Sequence, residues 1–131
     1  MSAIYPNLVA KMSNLLYRLG AFSCASSIGL GAVGAHKLGK RDPEWISIWT
    51  TSNRYHQFGS VALLALPALS SPRAKLVGGS CIAVGTAAFA GANYLVSYHE
   101  DRNYFKSKSL PNPAPIGGAL MILGFLAVAV L

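Results

Sequence analysis

The sequence has few charged residues and very few acidic ones. Of its 131 residues only 4 are Asp or Glu and 11 are Lys or Arg, whereas 53% are apolar. Soluble domains carry about 25% charged residues. The charged fraction of 11% therefore excludes an ordinary soluble domain of this length. The composition instead indicates a single membrane domain over residues 1–131.

Four stretches of the chain, residues 19–35, 55–72, 76–98 and 109–131, contain no Asp, Glu, Lys or Arg. A helix rises about 1.5 Å per residue and the hydrocarbon core of a bilayer is about 30 Å thick, so one crossing needs roughly 17–25 residues. The pattern predicts an all-α integral membrane bundle of four transmembrane helices. We expect Pro67 to end the second helix near Leu69, and Pro115 to lie in the first turn of the fourth. The predicted spans are about 15–36, 55–70, 75–98 and 114–131.

The leader Met1–Arg18 has two basic residues and no acidic one. It resembles an uncleaved leader of a mitochondrial inner-membrane protein as readily as the start of a bacterial membrane protein. We expect the first span to be retained as a helix. The expected location is the mitochondrial inner membrane, with a bacterial membrane as the alternative.

The net charge of +7 would favour nucleic acid as the partner of a soluble protein. Here the Lys and Arg residues flank apolar spans, as they do in proteins whose loops face anionic headgroups. The expected surroundings are therefore a lipid bilayer, and nucleic acid is rejected as a partner. Cys24 and Cys81 lie inside predicted spans, where a thiol packs as a small apolar group, so neither a disulfide nor a metal site is expected from them.

Small residues recur at every fourth position in the first and third predicted helices. Such residues allow helices in lipid to approach closely, so we expect these two helices to pack against each other. The alternative interpretation is that small residues are simply common in membrane helices. The two series are Ser23, Ser27, Gly31 and Ala35 in the first helix, and Gly79, Ala83, Ala87 and Gly91 in the third.

The sequence has few residues suited to catalysis or metal binding. His36, His56 and His99 are expected at helix ends on one side of the membrane, and they are weak metal candidates because no ligand spacing connects them. Asn93 is the deepest strongly polar side chain, and an interhelical hydrogen bond is its expected role. The sequence offers no nucleophile with an evident base, no phosphate-binding loop and no acidic pair. We therefore expect no enzyme activity and no cofactor.

Aromatic residues concentrate on the same side as the histidines. In one interpretation they anchor the bundle among lipid headgroups. In the other, Asp42–Thr51 is a short amphipathic interfacial helix, and the aromatic side chains contact a partner protein. The partner-contact candidates are Trp45, Trp49, Tyr104 and Phe105.

Several short patterns coincide with one family. They are Gly34-Ala35-His36, Asn53-Arg54-Tyr55-His56 followed by Ser60-Val61-Ala62-Leu63-Leu64, Gly85 with Phe89 and Tyr94, and Ala114-Pro115-Ile116-Gly117-Gly118 with Gly124-Phe125. From about Leu19 to the C-terminus the chain resembles the transmembrane protein 256 family and its bacterial relatives, which share a domain of unknown function. The resemblance implies four spans, an uncharacterised activity, and a mitochondrial location for eukaryotic members, and it transfers no catalytic residue. Many members carry a histidine shortly after the Tyr55 position, where this chain has Gly59.

The leading hypothesis is an accessory or structural membrane subunit that packs against a larger membrane complex of the mitochondrial inner membrane, such as the respiratory chain. It rests on the abundance of small residues suited to helix packing and on the near absence of ionisable or strongly polar side chains inside the predicted helices. One alternative is a small oligomeric transporter or channel with Asn93 and the histidines along its path. The other is a metal- or haem-binding membrane protein that uses His36, His56 or His99.

Overall fold

The computed structural model describes residues 4–131, and all regular structure in that range is helical. The expected all-α class is thereby confirmed. Two helical stretches, Tyr5–His36 and Ala74–Tyr98, are long and apolar enough to cross a membrane. The helices are α1 (Ile4–His36), α2 (Pro43–Ala65), α3 (Gly79–Tyr98), the single turn α4 (Tyr104–Ser107) and α5 (Ala114–Val130).

Proline sets several helix boundaries. Pro43 occupies the first turn of α2, directly after Asp42 at the N-cap position. Because Pro67 lacks a backbone donor, α2 gives way to a 3-10 turn over Leu66–Ala68 and then to extended backbone at Leu69. The predictions for Pro67 and for Pro115, which lies in the first turn of α5, are confirmed.

Helix α2 begins about twelve residues before the predicted second span. The separate interfacial helix expected over Asp42–Thr51 is wrong, because these residues are the first turns of α2 itself. No Gly or Pro interrupts residues 44–58, so the helix that starts at Pro43 continues without a break. His56 consequently lies about 20 Å along α2 at 1.5 Å per residue. The expectation that it lies at a helix end is therefore wrong.

The long helices pack in chain order, α1 on α2, α2 on α3 and α3 on α5. The expected close packing of α1 against α3 is wrong, since these two helices touch mainly where Leu16 meets Gly79. The short connection 37–42 places α2 directly beside α1. The serines of the α1 series then form hydrogen bonds to α2, as at Ser23 with Ser60, instead of facing α3.

The tightest helix pair is α3 with α5. A methyl group added at Gly117 would lie 2.4 Å from the backbone nitrogen of Phe89, and one added at Gly85 would lie 2.7 Å from the Gly117 carbonyl oxygen. At the other end of the pair, a methyl group at Gly78 would lie 2.5 Å from the side chain of Val128. The two backbones are therefore in direct contact, as small residues permit in membrane helices.

Large apolar side chains cover the outside of the protein. Phe22, Ile28, Phe58, Ile122 and Val130 are each between 64% and 79% exposed. Soluble monomers rarely expose continuous apolar surface on this scale, because its hydration is unfavourable. A lipid environment removes that cost.

Arg41 joins the two charged loops at one end of the helices. Its guanidinium donates to the backbone oxygens of Ser97, at 3.0 Å, and Tyr98, at 2.6 Å, and lies 3.2 Å from the Glu100 carboxylate. A second ion pair joins Arg102 to Glu44. Arg41 therefore stabilises the end of α3, and the second ion pair ties the loop after α3 to the start of α2.

Replacing Arg41 with Gln is expected to lower the free energy of unfolding by about 1–2 kcal/mol, because two carbonyl oxygens at the end of α3 lose a charged donor. Thermal unfolding of the purified chain in mild detergent measures the effect. Lys40→Gln, at an exposed position in the same loop, is the matched control and should change little. Equal effects of the two substitutions would contradict a specific role for Arg41.

Candidate functional site

A cluster of polar side chains lies between α1, α2 and α3. Asn53, His56 and Ser60 are three and four residues apart along α2, so they share one face of that helix. Ser23 of α1 and Tyr94 of α3 meet this face from either side. His56 is half-buried, whereas Ser60 and Tyr94 are buried. We call these five residues the His56 cluster.

The side chains of the His56 cluster form one continuous chain of hydrogen bonds, which begins at Asn53 and ends at Ser60. The amide of Asn53 donates to the Tyr94 hydroxyl at 3.0 Å and to the Ser27 carbonyl oxygen at 2.7 Å. The two ring nitrogens of His56 lie 3.1 Å from the Tyr94 hydroxyl (Nδ1) and 3.1 Å from Ser23 Oγ (Nε2). Ser23 in turn contacts Ser60, whose hydroxyl donates to the His56 carbonyl oxygen at 2.6 Å.

The donor of each hydrogen bond in the His56 cluster follows from the bond that Ser60 makes. Ser60 uses its proton on the His56 carbonyl oxygen, so Ser23 must donate to Ser60. Nε2 of His56 then donates to Ser23, and the Tyr94 hydroxyl donates to Nδ1. The Ser23 proton therefore points away from His56, and the pair lacks the arrangement of a base-activated nucleophile. The cluster joins three helices through satisfied hydrogen bonds.

Trp49 packs against the His56 cluster on the side nearest the charged loops. Its indole N–H donates to the Leu30 carbonyl oxygen at 2.9 Å, and its ring centroid lies 4.6 Å from that of Tyr94. Gly34 leaves room for the indole, since a methyl group there would lie 2.5 Å from Nε1. Trp49 is only 5% exposed. The prediction that Trp49 contacts a partner protein is therefore wrong, because the early start of α2 turns it inward.

An open cleft of about 370 Å³ separates α1 from α3 beside the His56 cluster. Ser23, His56 and Tyr94 contribute its polar lining, and Ala83, Ala87 and Gly91 of the third-helix series line its α3 wall. Thr86 also lines the cleft, and its buried hydroxyl has no hydrogen-bond partner among residues 4–131. Nothing lies within 4 Å of a methyl group added at Gly91. This wall of α3 therefore has unused packing surface.

The three histidines are not brought together. His36 is exposed at the end of α1, while His99 stacks on Tyr104 with ring centroids 4.8 Å apart. In the described part of the chain, no three His, Cys, Asp or Glu side chains lie close enough to hold a metal ion. Asn93 is half-buried and lies outside both the cleft lining and the side-chain hydrogen bonds of residues 4–131.

The remaining residues predicted as helix-packing or partner-contact sites lie either between helices or at the loop end of the bundle. Ser27 and Gly31 lie against Asn53 of α2, whereas Ala35 is exposed. Trp45, Tyr104 and Phe105 are half-buried at the loop end, where the Trp45 carbonyl oxygen accepts a hydrogen bond from Ser97 at 2.6 Å. Sequence reasoning missed Asn53, Ser60 and Tyr94 as partners of His56. The signal was the shared α2 face of Asn53, His56 and Ser60, which becomes visible only once α2 is known to start at Pro43.

Comparison with known proteins identifies relatives over most of the chain. Residues 30–118 match the family described as "Protein of unknown function (DUF423)". A UPF0382 membrane protein of Staphylococcus aureus is 30% identical over 115 residues, which cover 86% of this chain and 89% of the relative. A UPF0382 membrane protein of Schizosaccharomyces pombe is 32% identical over 123 residues, covering 88% and 98%. The UPF0382 membrane protein YwdK of Bacillus subtilis is 26% identical over 117 residues, covering 86% and 90%. No solved structure matches the chain.

The helical fold, the apolar exterior and these relatives together define a small helical membrane protein. The chain belongs to the DUF423 family. This confirms the resemblance to the transmembrane protein 256 family and its bacterial relatives. The matched range 30–118 includes Asn53, His56 and Tyr94 but not Ser23.

Proposed function

We propose that the chain is a four-span integral membrane protein that serves as an accessory subunit of a larger complex in the mitochondrial inner membrane. In this proposal a helix of the partner subunit lies over the cleft between α1 and α3. The observation that carries it is the open α3 wall at Ala83, Ala87 and Gly91.

The proposal of four spans adds α2 and α5 to the two stretches, Tyr5–His36 and Ala74–Tyr98, that are long and apolar enough to cross a membrane. Helix α2 has 23 residues and is about 35 Å long, enough to cross the hydrocarbon core. Helix α5 has 17 uncharged residues and packs against α3 along most of its length. Two helices so closely packed on a spanning helix share its surroundings.

The mitochondrial location is supported by the N-terminal residues, and the relatives fit either a mitochondrial or a bacterial membrane. The leader to Arg18 carries basic and no acidic residues. The relatives include bacterial proteins and one from a fission yeast. Fractionation of a tagged full-length chain tests the location, and recovery in another membrane would refute it.

The cleft suits side chains of a neighbouring helix. Small residues on a helix face let another backbone approach, and van der Waals contact then supplies most of the association energy in lipid. The polar edge of the His56 cluster would accept or donate hydrogen bonds there. A volume of about 370 Å³ holds several side chains rather than an entire helix.

Gly91→Leu is expected to separate the chain from its partner without unfolding it. Leucine at 91 fills the cleft, and overpacking an interface costs about 1–3 kcal/mol, a loss of roughly tenfold or more in affinity. Mild-detergent native electrophoresis of the membrane, followed by mass spectrometry of the band that contains the chain, measures the association. Gly29→Leu is the matched control, since a methyl group at Gly29 also meets nothing within 4 Å and Gly29 lies outside the cleft lining.

The accessory-subunit proposal requires that the wild type and Gly29→Leu migrate with a large assembly and that Gly91→Leu does not. Migration of the wild type as a small homo-oligomer would overturn the proposal and favour the transporter alternative. Equal loss of the assembly in both variants would show that the cleft is not the contact surface.

A further inference from the structure

A second groove lies at the opposite end of the molecule, between the N-terminal turns of α1 and residues 72–76, which lead into α3. Its volume is about 390 Å³, and it is lined mainly by apolar side chains, including Leu8, Met12, Leu15 and Leu76. Two cations, Lys11 and Arg73, also line it, and both are exposed. We call it the Lys11 groove.

The charge at this end of the molecule is entirely basic among the side chains. Lys75 is 6% exposed, and its ammonium donates to Ser13 Oγ at 3.0 Å. Neither salt bridge in the described range 4–131 involves Lys11, Arg73 or Lys75. Lys11 and Arg73 are exposed and form no ion pair within residues 4–131, so both are free to bind an anion from outside.

The acidic side chains are too distant to provide that anion. All four occur at residues 42–44 and 100–101, next to the start of α2 and the end of α3. Helix α2 is about 35 Å long and separates them from the Lys11 groove. At physiological ionic strength exposed charges are screened beyond about 8 Å. The cations of the groove therefore have no carboxylate partner on a side chain of this chain.

The groove also lies at the level where lipid headgroups are expected. Residues 19–36 after Arg18 are uncharged and make up about 27 Å of helix, close to the thickness of the hydrocarbon core. Lys11 lies about 10 Å before Arg18 along α1, on the headgroup side. On the other wall, Arg73 precedes the uncharged stretch that begins at Leu76.

We propose that the Lys11 groove binds one anionic phospholipid. Its phosphate is held by Lys11 and Arg73, and an acyl chain lies along Leu8, Met12, Leu15 and Leu76. A phosphate ion alone would satisfy the cations, but it would leave the apolar part of the groove uncovered. The combination of two cations and an apolar channel therefore selects a lipid over free phosphate.

Native mass spectrometry of the full chain in a mild non-ionic detergent tests this proposal. The probes are phosphatidylglycerol and phosphatidylcholine with identical acyl chains. The wild type is expected to bind phosphatidylglycerol roughly tenfold more tightly, because each basic residue near a headgroup contributes about 1 kcal/mol, or about fivefold, before detergent and salt reduce it. The double variant Lys11→Gln/Arg73→Gln should lose this preference.

The control is Lys37→Gln/Lys40→Gln, which removes the same charge from exposed positions at the other end of α1. It should bind phosphatidylglycerol as the wild type does. Equal binding of both lipids by the wild type, or equal losses in the two double variants, would overturn the proposal. Displacement of phosphatidylglycerol by millimolar inorganic phosphate would overturn the assignment to a lipid.

Discussion

Gly117→Ala is expected to destabilise the protein by about 3 kcal/mol, although the change adds a single methyl group. That methyl group would lie 2.4 Å from the backbone nitrogen of Phe89 and 2.8 Å from the carbonyl oxygen of Gly85. Backbone atoms cannot rotate away as a side chain can, so α3 and α5 must separate along their contact. Much of the van der Waals contact that holds these helices together in lipid would then be lost.

Thermal unfolding in mild detergent, followed by the fluorescence of Trp45 and Trp49, measures this loss. Gly118→Ala is the matched control in the same turn of α5. A methyl group at Gly118 would lie 3.5 Å from the Phe89 ring, which is an ordinary contact, so we expect a change within about 1 kcal/mol. A Gly117→Ala variant as stable as Gly118→Ala would show that α3 and α5 do not pack as described.

The helix pair that matters most was not the pair predicted from small residues. The members of the series from Gly79 to Gly91 recur at every fourth position. The residues that allow backbone contact are instead Gly78, just before α3, and Gly85 in α3, with Gly117 and Gly124 in α5, each pair seven residues apart. Small-residue spacing marks surfaces on which a helix can approach closely, but it does not say which helix approaches. That choice depends on loop length and on the hydrogen bonds of neighbouring helices.

The general class of the fold could be predicted because it depends on local properties. Charge-free stretches and prolines gave the helical segments and the positions of two boundaries. The start of α2 is missed because the charged residues between Lys37 and Arg54 predict a loop over residues 36–54. In the structure, polar residues in this part of the chain and in the next turn face α1 and α3, where Asn53 and His56 find partners. A polar residue inside a helix is identified only when its partners on other helices are known.

Gly59 occupies the most crowded glycine position in the described chain, and Gly59→Ala is expected to destabilise the protein by about 2–3 kcal/mol. A methyl group there would lie 2.0 Å from Thr86 Oγ1 and 2.9 Å from Thr86 Cγ2. Both helices would have to move, because the branched side chain of Thr86 presents one atom or the other in each rotamer.

The cause of that destabilisation can be isolated with Thr86. Thr86→Ala alone should be nearly neutral, within about 1 kcal/mol, because it removes a buried hydroxyl without a partner along with one methyl group. The double variant Gly59→Ala/Thr86→Ala should recover at least about 1.5 kcal/mol of the loss from Gly59→Ala, since alanine at 86 removes Oγ1 and Cγ2 and leaves only Cβ, 3.0 Å from the new methyl group. Additive effects in this cycle would show that Gly59 is constrained by something other than Thr86.

Thr86→Val separates the shape of this side chain from its hydrogen bonding. Valine keeps the branched shape but removes the hydroxyl, so the isolated chain should become more stable by about 1 kcal/mol. The same substitution should leave association unchanged, because the hydroxyl faces Gly59 of α2 and is shielded from the cleft. A loss of the large assembly on native electrophoresis would contradict this and show that the partner helix reaches Thr86. A gain in stability with the assembly intact would show that the hydroxyl has no role in that contact.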